Sequence, residues 1–171
     1  FRQFKGVGTG SLLGKKWQEN RFRSPYLRDA LWQKGYVVDT FETATDWQNV
    51  DNLMAKAEDV VRSGLTQEGE KVHVFTHLSH VYSQGCSLYT TYVYRNGSTF
   101  EETLERWQKL KHLASDTIVN NGGTISHQHG VGKDHAPYLH KEKGEQGMAV
   151  INNLVEHFDD KQLLNPGTLV K

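Results

Sequence analysis

The chain has 171 residues with 20 basic and 20 acidic side chains, so its formal net charge at neutral pH is zero. This balance provides no basic surplus for nucleic-acid binding, and no apolar run is long enough to span a membrane, so neither partner is expected. A single cysteine, Cys86, excludes an internal disulfide framework and favours a reducing compartment. The length suits one domain, or two small ones, with a real hydrophobic core.

The first part of the chain is predicted to be irregular and then helical. Residues 1–23 are basic and rich in glycine, which is typical of a solvated terminus or an anion-facing loop, although no phosphate-loop pattern closes them. Ser24 and Pro25 have the types of a helix cap and a first helical residue. A helix is therefore expected over 26–34, and Arg28 on this helix is a candidate for binding an anion.

Strands and amphipathic helices then follow one another with clear periodicity. Capping-box patterns at 45–48 and 99–102 precede two of the helices. The order strand, helix, hairpin, helix predicts an α+β fold, with helices on one side of an antiparallel sheet. Strands are predicted at 36–43, 71–79 and 86–94, the last two as a hairpin, and helices at 50–61, 100–118, 134–143 (interrupted by Pro137) and 146–158.

The most distinctive stretch is 120–133, Asn-Asn-Gly-Gly-Thr-Ile-Ser-His-Gln-His-Gly-Val-Gly-Lys. Its glycines allow sharp turns and close approach to a ligand, and its histidines can act near neutral pH. His127, His129 and Lys133, joined by Tyr89 and Arg28, form a candidate cluster for acid–base chemistry beside an anionic ligand.

Other kinds of site are disfavoured by the residues nearby. No carboxylate or thiolate lies close in sequence to the pair His127 and His129 or to the pair His77 and His80, so no metal site is expected. Cys86 has no signature of a catalytic thiol around it, and no Gly-x-Ser-x-Gly or dinucleotide-binding glycine pattern is present.

Several segments together resemble a known family. The stretch at 122–133 and Leu-Leu-Asn-Pro-Gly at 163–167 resemble the C-terminal signature of FAD-linked oxidases of the vanillyl-alcohol oxidase/PCMH superfamily. Ser-Pro-Tyr-Leu-Arg-Asp at 24–29, Val-Asp-Thr-Phe-Glu-Thr-Ala at 38–44 and Gly-Cys-Ser-Leu-Tyr at 85–89 are similar to the branch of alkyldihydroxyacetonephosphate synthases and their bacterial relatives.

The resemblance implies that residues 1–171 are a C-terminal cap domain, part of a ferredoxin-like fold that binds substrate. In that family a separate N-terminal domain carries most of the FAD site, and that domain is expected to be absent from this chain. The chain alone should then bind FAD weakly and be inactive. A small anionic substrate, carrying a phosphate or carboxylate, and a cytoplasmic location of bacterial type are expected, and a homodimer is an open alternative.

The resemblance also implies residue roles. Tyr89 matches the family's active-site tyrosine, and His127 and His129 match residues that line the flavin and substrate site. Arg28 matches an arginine that binds the anionic group of the substrate, and Asn165 lies in a terminal segment that returns towards the flavin.

One departure from the pattern limits the function that the resemblance implies. Gln128 stands where the synthases have a histidine, and glutamine cannot titrate. This puts the ether-forming reaction in doubt. An FAD-dependent dehydrogenase of D-2-hydroxy acids, such as lactate or glycolate, and a non-catalytic anion-binding module remain alternatives. The hairpin at 83–89 also lacks the aspartate and second histidine that the related dehydrogenases use for a divalent metal, which again disfavours a metal.

Overall fold

The structure of the chain, a computed structural model, describes residues 2–170, except for the side chains of Arg2 and Ser24. A three-stranded antiparallel sheet lies at its centre, with β3 between β1 and β2. The α+β prediction is thereby confirmed. The strands are β1 (Tyr36–Asp46), β2 (His73–Val81) and β3 (Gly85–Arg95), and the helices are α1 (Leu12–Asn20), α2 (Ser24–Gln33), α3 (Val50–Ser63), α4 (Phe100–Asn120), α5 (Gly132–His135) and α6 (Leu139–Phe158).

The main core lies between the sheet and the helices α3 and α4. Apolar side chains recur at helical spacing on both helices, and this stripe faces the sheet. Burying it removes apolar surface from water, the dominant favourable contribution to folding. Fully or almost fully buried members of this core are Phe41, Val61, Tyr92, Tyr94, Leu110 and Ile118, while Leu53 and Leu88 belong to a second buried cluster of α3 and β3 residues.

A polar network anchors α4 to β1 at one end of the core. Asp39 on β1 accepts hydrogen bonds from the Trp107 indole nitrogen at 2.7 Å and from the Tyr92 hydroxyl at 3.1 Å. The Lys111 ammonium lies 3.4 Å from the same carboxylate oxygen. Burial would raise the pKa of Asp39, but Lys111 and these hydrogen bonds hold it below its usual range. The ionised carboxylate therefore ties three elements together.

The two predicted capping boxes have different outcomes. At the start of α4, the Glu102 amide donates to Thr99 Oγ1 at 3.1 Å, so this prediction is confirmed. The box predicted at 45–48 is wrong, because Thr45 remains in β1, where it pairs with Cys86 of β3. Helix α3 begins only at Val50, so the sheet hydrogen bonds override the local signal at this position.

The two ends of the chain depart from the sequence prediction in part. The expectation of an irregular segment at 1–23 is wrong for residues 12–20, which form α1, a helix that buries none of its residues. Helix α2 begins at Ser24 itself, with Arg23 at the capping position. Towards the other end, Gly144, whose φ of 65° is left-handed, interrupts α6 between the predicted helices 134–143 and 146–158. The first of these is divided into α5, a 3₁₀ turn at Ala136–Tyr138 and the start of α6. None of the helices in residues 2–170 has the length and apolarity that crossing a bilayer requires.

Candidate functional site

The candidate site lies on the sheet face that α3 and α4 leave uncovered. Successive strand residues point to opposite faces, and Phe41 and Tyr92 enter the core. Glu42 and Tyr89 therefore point the other way. The register places Glu42 of β1, Tyr89 of β3 and His77 of β2 side by side across the sheet.

The Tyr89 ring is packed between two histidines. His77 stacks on it with ring centroids 5.1 Å apart, and His129 approaches edge-on at 5.7 Å. The Tyr89 hydroxyl lies 3.4 Å from Thr40 Oγ1, a long hydrogen bond that a ligand can readily replace. The ring is thus fixed while its hydroxyl stays available.

The loop between α4 and α5, residues 121–131, is called the histidine loop, and backbone hydrogen bonds hold it along the edge of β1. The Thr124 amide donates to the Ala44 carbonyl and the His127 amide to the Glu42 carbonyl, both at 3.0 Å. Thr43 Oγ1 adds a bond of 2.7 Å to the Thr124 carbonyl. Because these bonds fix the loop against alternate residues of the strand, His127 is placed directly beside Glu42.

A tight turn then brings His129 back towards the same carboxylate. The His129 amide donates to the His127 carbonyl at 2.9 Å, which closes a turn of three residues centred on Gln128. Gln128 adopts a φ of 64°, a left-handed conformation that costs a non-glycine residue about 1 kcal/mol or more. The two histidines share a face through this turn rather than through a strand.

Glu42 is the centre of the site. Its side chain is only 2% exposed, and three imidazoles approach it. Oε1 lies 3.3 Å from His127 Nδ1 and 3.5 Å from His80 Nδ1, and Oε2 lies 3.5 Å from His129 Nε2. Ser79 Oγ donates to Oε1 at 2.5 Å. Burial would raise the pKa of Glu42, but the hydrogen bonds from Ser79 and Ser87 and the His127 ring hold it below its usual range.

A cavity of about 720 Å³ opens beside this cluster. Tyr89 and His129, two of the residues predicted from the sequence, line it together. His127 lies behind them, with its Nε2 3.0 Å from the Tyr82 hydroxyl. The complete lining is Trp17, Asn20, Arg21, Glu42, His77, Ser79, His80, Tyr89, Gln128 and His129.

The other predicted residues occupy separate surface grooves. Lys133 shares one groove with His129 and Lys111, next to the main cavity. Arg28 lies in another, formed by α2 and the start of β1. Asn165 lies in an apolar groove at the end of the chain. The arginine that lines the cavity itself is Arg21, which sequence reasoning did not single out.

Glu42 is the most important residue that sequence reasoning missed. A metal site was not expected because no carboxylate lies near the histidines in sequence, but Glu42, 85 positions from His127, lies beside them in space. In space, Glu42, His80 and His127 bring three potential ligand atoms within 4.8 Å of one another, so they are the residues that could hold a metal ion. The strand position of Glu42, one residue after Phe41, was the available signal that it faces away from the core.

The structure thus combines an antiparallel sheet, packed on one face by α3 and α4, with a tyrosine–histidine cavity on the other face. Comparison with known proteins identifies the class: the chain belongs to the family of FAD-linked oxidases, C-terminal domain, whose model matches residues 9–169. The family resemblance of the sequence is thereby confirmed.

Individual members of this family are similar to the chain over most of its length. The chain is 31% identical to alkyldihydroxyacetonephosphate synthase from Dictyostelium discoideum over 95% of this chain and 26% of the relative. Identity to the enzyme of the same name from Trypanosoma brucei brucei is 28%, over 99% of this chain and 27% of the relative. A solved structure of alkyldihydroxyacetonephosphate synthase superposes with a TM-score of 0.63 at 25% identity, covering 94% of this chain and 25% of that one. The chain therefore spans about a quarter of these proteins.

Proposed function

We propose that this domain forms the substrate-side wall of a flavin active site in an FAD-dependent enzyme that resembles alkyldihydroxyacetonephosphate synthase. The observation that carries the proposal is the Tyr89 ring, packed against His77 and His129 at an open cavity, with its hydroxyl held only by a long bond of 3.4 Å to Thr40. Family membership supports FAD as the cofactor. When bound, the flavin would supply the electron chemistry, and this chain would orient the substrate and move its protons.

Tyr89 is the residue proposed to give or take a proton. Its phenol can give a proton and its phenolate can take one. Because its hydrogen bond to Thr40 is long, at 3.4 Å, the oxygen can turn instead to a substrate oxygen or a carbon-bound proton. His129 lies on the same cavity wall and in its protonated form, with an N–H on both ring nitrogens, can donate to a developing negative charge on substrate oxygen. His127, behind them, holds the wall together through Tyr82 and Glu42.

An anionic substrate group is proposed to bind at the rim of the cavity. Arg21 lines the cavity, and Lys133 lies in the adjoining groove beside His129. A guanidinium suits carboxylate and phosphate because its planar fork donates two parallel hydrogen bonds. Arg28 retains the role implied by its family position as a second proposal, although its groove is separate from the Tyr89 cavity in this structure.

The reaction class is tested with the flavin-loaded intact protein by visible spectroscopy. Replacement of the acyl group of an acyl-dihydroxyacetone phosphate by an alcohol, with release of the carboxylic acid and no bleaching of the flavin by 2-hydroxy acids, would support the synthase reaction. Bleaching by a D-2-hydroxy acid such as lactate or glycolate would support the dehydrogenase alternative. An intact protein that holds no flavin would contradict both and leave the anion-binding module.

The role of Tyr89 is tested by Tyr89→Phe, which removes the hydroxyl and keeps the ring between its histidines. Loss of a proton-transfer group should lower kcat by about 10²–10⁴-fold, with flavin content unchanged. Tyr26→Phe is the matched control, because Tyr26 is exposed on α2 and is not among the residues that line this cavity. Equal turnover in the two variants would remove Tyr89 from the acid–base role.

A further inference from the structure

The buried carboxylate of Glu42 has no part in the proton transfer proposed above, yet it is the best-connected group of the site. Within residues 2–170, three imidazole nitrogens lie within 3.5 Å of its oxygens, one from β2 and two from the histidine loop. Burying an ionised group in this way is costly unless its surroundings satisfy it. The question is therefore what this dense set of polar contacts around Glu42 does.

A chain of hydrogen bonds fixes the orientation of the carboxylate. The His80 amide donates to Ser87 Oγ at 2.9 Å, the two serine hydroxyls lie 2.6 Å apart, and Ser79 Oγ donates to Glu42 Oε1 at 2.5 Å. With the backbone amide donating at one end, every hydroxyl proton in the chain points towards Glu42. Linked bonds of this kind reinforce one another. Glu42 is therefore held rigidly as an acceptor.

A rigid acceptor decides which nitrogen of each facing ring carries the proton. An ionised carboxylate can only accept hydrogen bonds, so a ring nitrogen that faces it must be the N–H. For His127 the facing atom is Nδ1, 3.3 Å from Oε1. This nitrogen is buried and makes no well-aligned hydrogen bond among the described residues, so the Glu42 oxygen 3.3 Å away is the acceptor available to its proton. Its opposite nitrogen, Nε2, is then the acceptor for the Tyr82 hydroxyl at 3.0 Å.

For His129 the facing atom is the other one, Nε2, 3.5 Å from Oε2. The same rule places the proton of a neutral His129 on Nε2 and leaves Nδ1 as a lone-pair nitrogen. Two histidines separated by one residue are therefore required to adopt opposite tautomers by the two oxygens of one carboxylate.

We propose that Glu42 is a positioning residue that fixes His127 as the Nδ1–H tautomer and His129 as the Nε2–H tautomer. It thereby decides which ring nitrogens of His127 and His129 carry a proton and which can accept a hydrogen bond, including the His129 nitrogen available to a ligand in the cavity. The consequence for catalysis depends on the proposed function, but the tautomers themselves do not. This makes the two ideas separable by experiment.

A metal ion at Glu42, His80 and His127 would be the competing arrangement, and the hydrogen bonds argue against it. Oε1 already accepts the Ser79 hydroxyl, and His80 Nδ1 lies 3.2 Å and 3.3 Å from the two serine oxygens. Two of the three potential ligands, Glu42 and His80, therefore have hydrogen-bonding neighbours without an ion. The two arrangements also differ in a measurable way, because a metal-bound nitrogen carries no proton.

The test is a long-range ¹H–¹⁵N spectrum of the histidine rings in the ¹⁵N-labelled chain, recorded above the usual histidine pKa of about 6.5. His127→Gln and His129→Gln spectra assign the two rings. The wild-type chain should show opposite tautomers, with the proton on Nδ1 of His127 and on Nε2 of His129. The same tautomer at both rings would overturn the proposal, and this measurement needs no flavin.

Glu42→Gln is the second measurement, with Glu105→Gln on the exposed side of α4 as the matched control. Removing the negative charge should release the tautomer preference of His127 and His129, whereas Glu105→Gln should leave both tautomers unchanged. Stoichiometric metal that is lost on Glu42→Gln, measured by mass spectrometry of the purified chain, would overturn the proposal. Absence of flavin chemistry in the intact protein would instead contradict only the proposed function.

Discussion

Gly123→Ala should destabilise the chain strongly, because the residue lies where the histidine loop meets the core. A Cβ at this position would lie 2.6 Å from Thr43 Oγ1, 2.8 Å from Leu53 Cδ2 and 3.0 Å from Ile118 Cγ2. All three side chains are almost completely buried, so none of them can move into open space. The φ of Gly123 is not left-handed, so the expected effect is steric rather than conformational.

The magnitude follows from two costs and one gain. Overpacking a filled core by one methyl costs about 1–3 kcal/mol. Displacing the Thr43 hydroxyl weakens its 2.7 Å bond to the Thr124 carbonyl, which adds about 0.5–1.5 kcal/mol. Restricting the unfolded chain returns about 0.4–1 kcal/mol. The expected net loss in the free energy of unfolding is therefore about 2–3 kcal/mol, estimated from these ranges.

Urea titration of the chain measures this loss as a lower midpoint with an unchanged slope. The control is Gly14→Ala, because Gly14 lies in the exposed helix α1 and an added Cβ would contact nothing within 4 Å. Better helix propensity should make this control neutral or more stable by up to about 1 kcal/mol. A Gly123→Ala chain as stable as wild type would refute the claim that the loop is packed tightly against the core.

Three further measurements examine the core, the network and the cofactor. Leu53→Ala should lower the free energy of unfolding by about 2–5 kcal/mol in urea titration, because Leu53 is fully buried, and a loss below 1 kcal/mol would contradict the packing described for α3. Asp39 and Glu42 have folded pKa values below their ordinary values of 3.8 and 4.5, so their contribution to stability is present above pH 4.5 and is lost as the pH falls further. Glu42→Gln should therefore make the free energy of unfolding fall less steeply with acidification. A variant with the same acid profile as wild type would contradict this expectation. The 171-residue chain alone should take up FAD only weakly, and tight stoichiometric binding in a fluorescence titration would show that this expectation is wrong.

The sheet and its main helices could be predicted because local pattern and tertiary packing agree in them. Strand alternation placed β1, β2 and β3, and the capping box at Thr99 marked the start of α4. The box at Thr45 failed because a residue in a sheet satisfies its backbone groups with the neighbouring strand, here at Cys86. Sequence spacing cannot show which of these two bonding patterns prevails.

The site was predictable only in part, for a similar reason. Tyr89 and His129 were singled out by residue type and family position, and they do line one cavity. Glu42 was missed because an isolated glutamate in a strand is usually a solvent-exposed residue. Its burial depends on a loop more than eighty positions later in the chain. The structure places three other candidates, Arg28, Lys133 and Asn165, in grooves outside that cavity. Their predicted roles therefore stay predictions.

The way the histidine loop follows β1 also determines how this region can change in evolution. Thr124 and His127 bond to carbonyls two residues apart on the strand, so the number of residues between them is set by the strand itself. One residue inserted or deleted there would move His127 out of reach of Glu42 and rotate His129 away from Tyr89. Homologous chains that keep the Glu42–histidine cluster should therefore vary in residue type within 124–129 but not in length. Insertions should be tolerated instead at the exposed turn between β2 and β3, around Ser83 and Gln84.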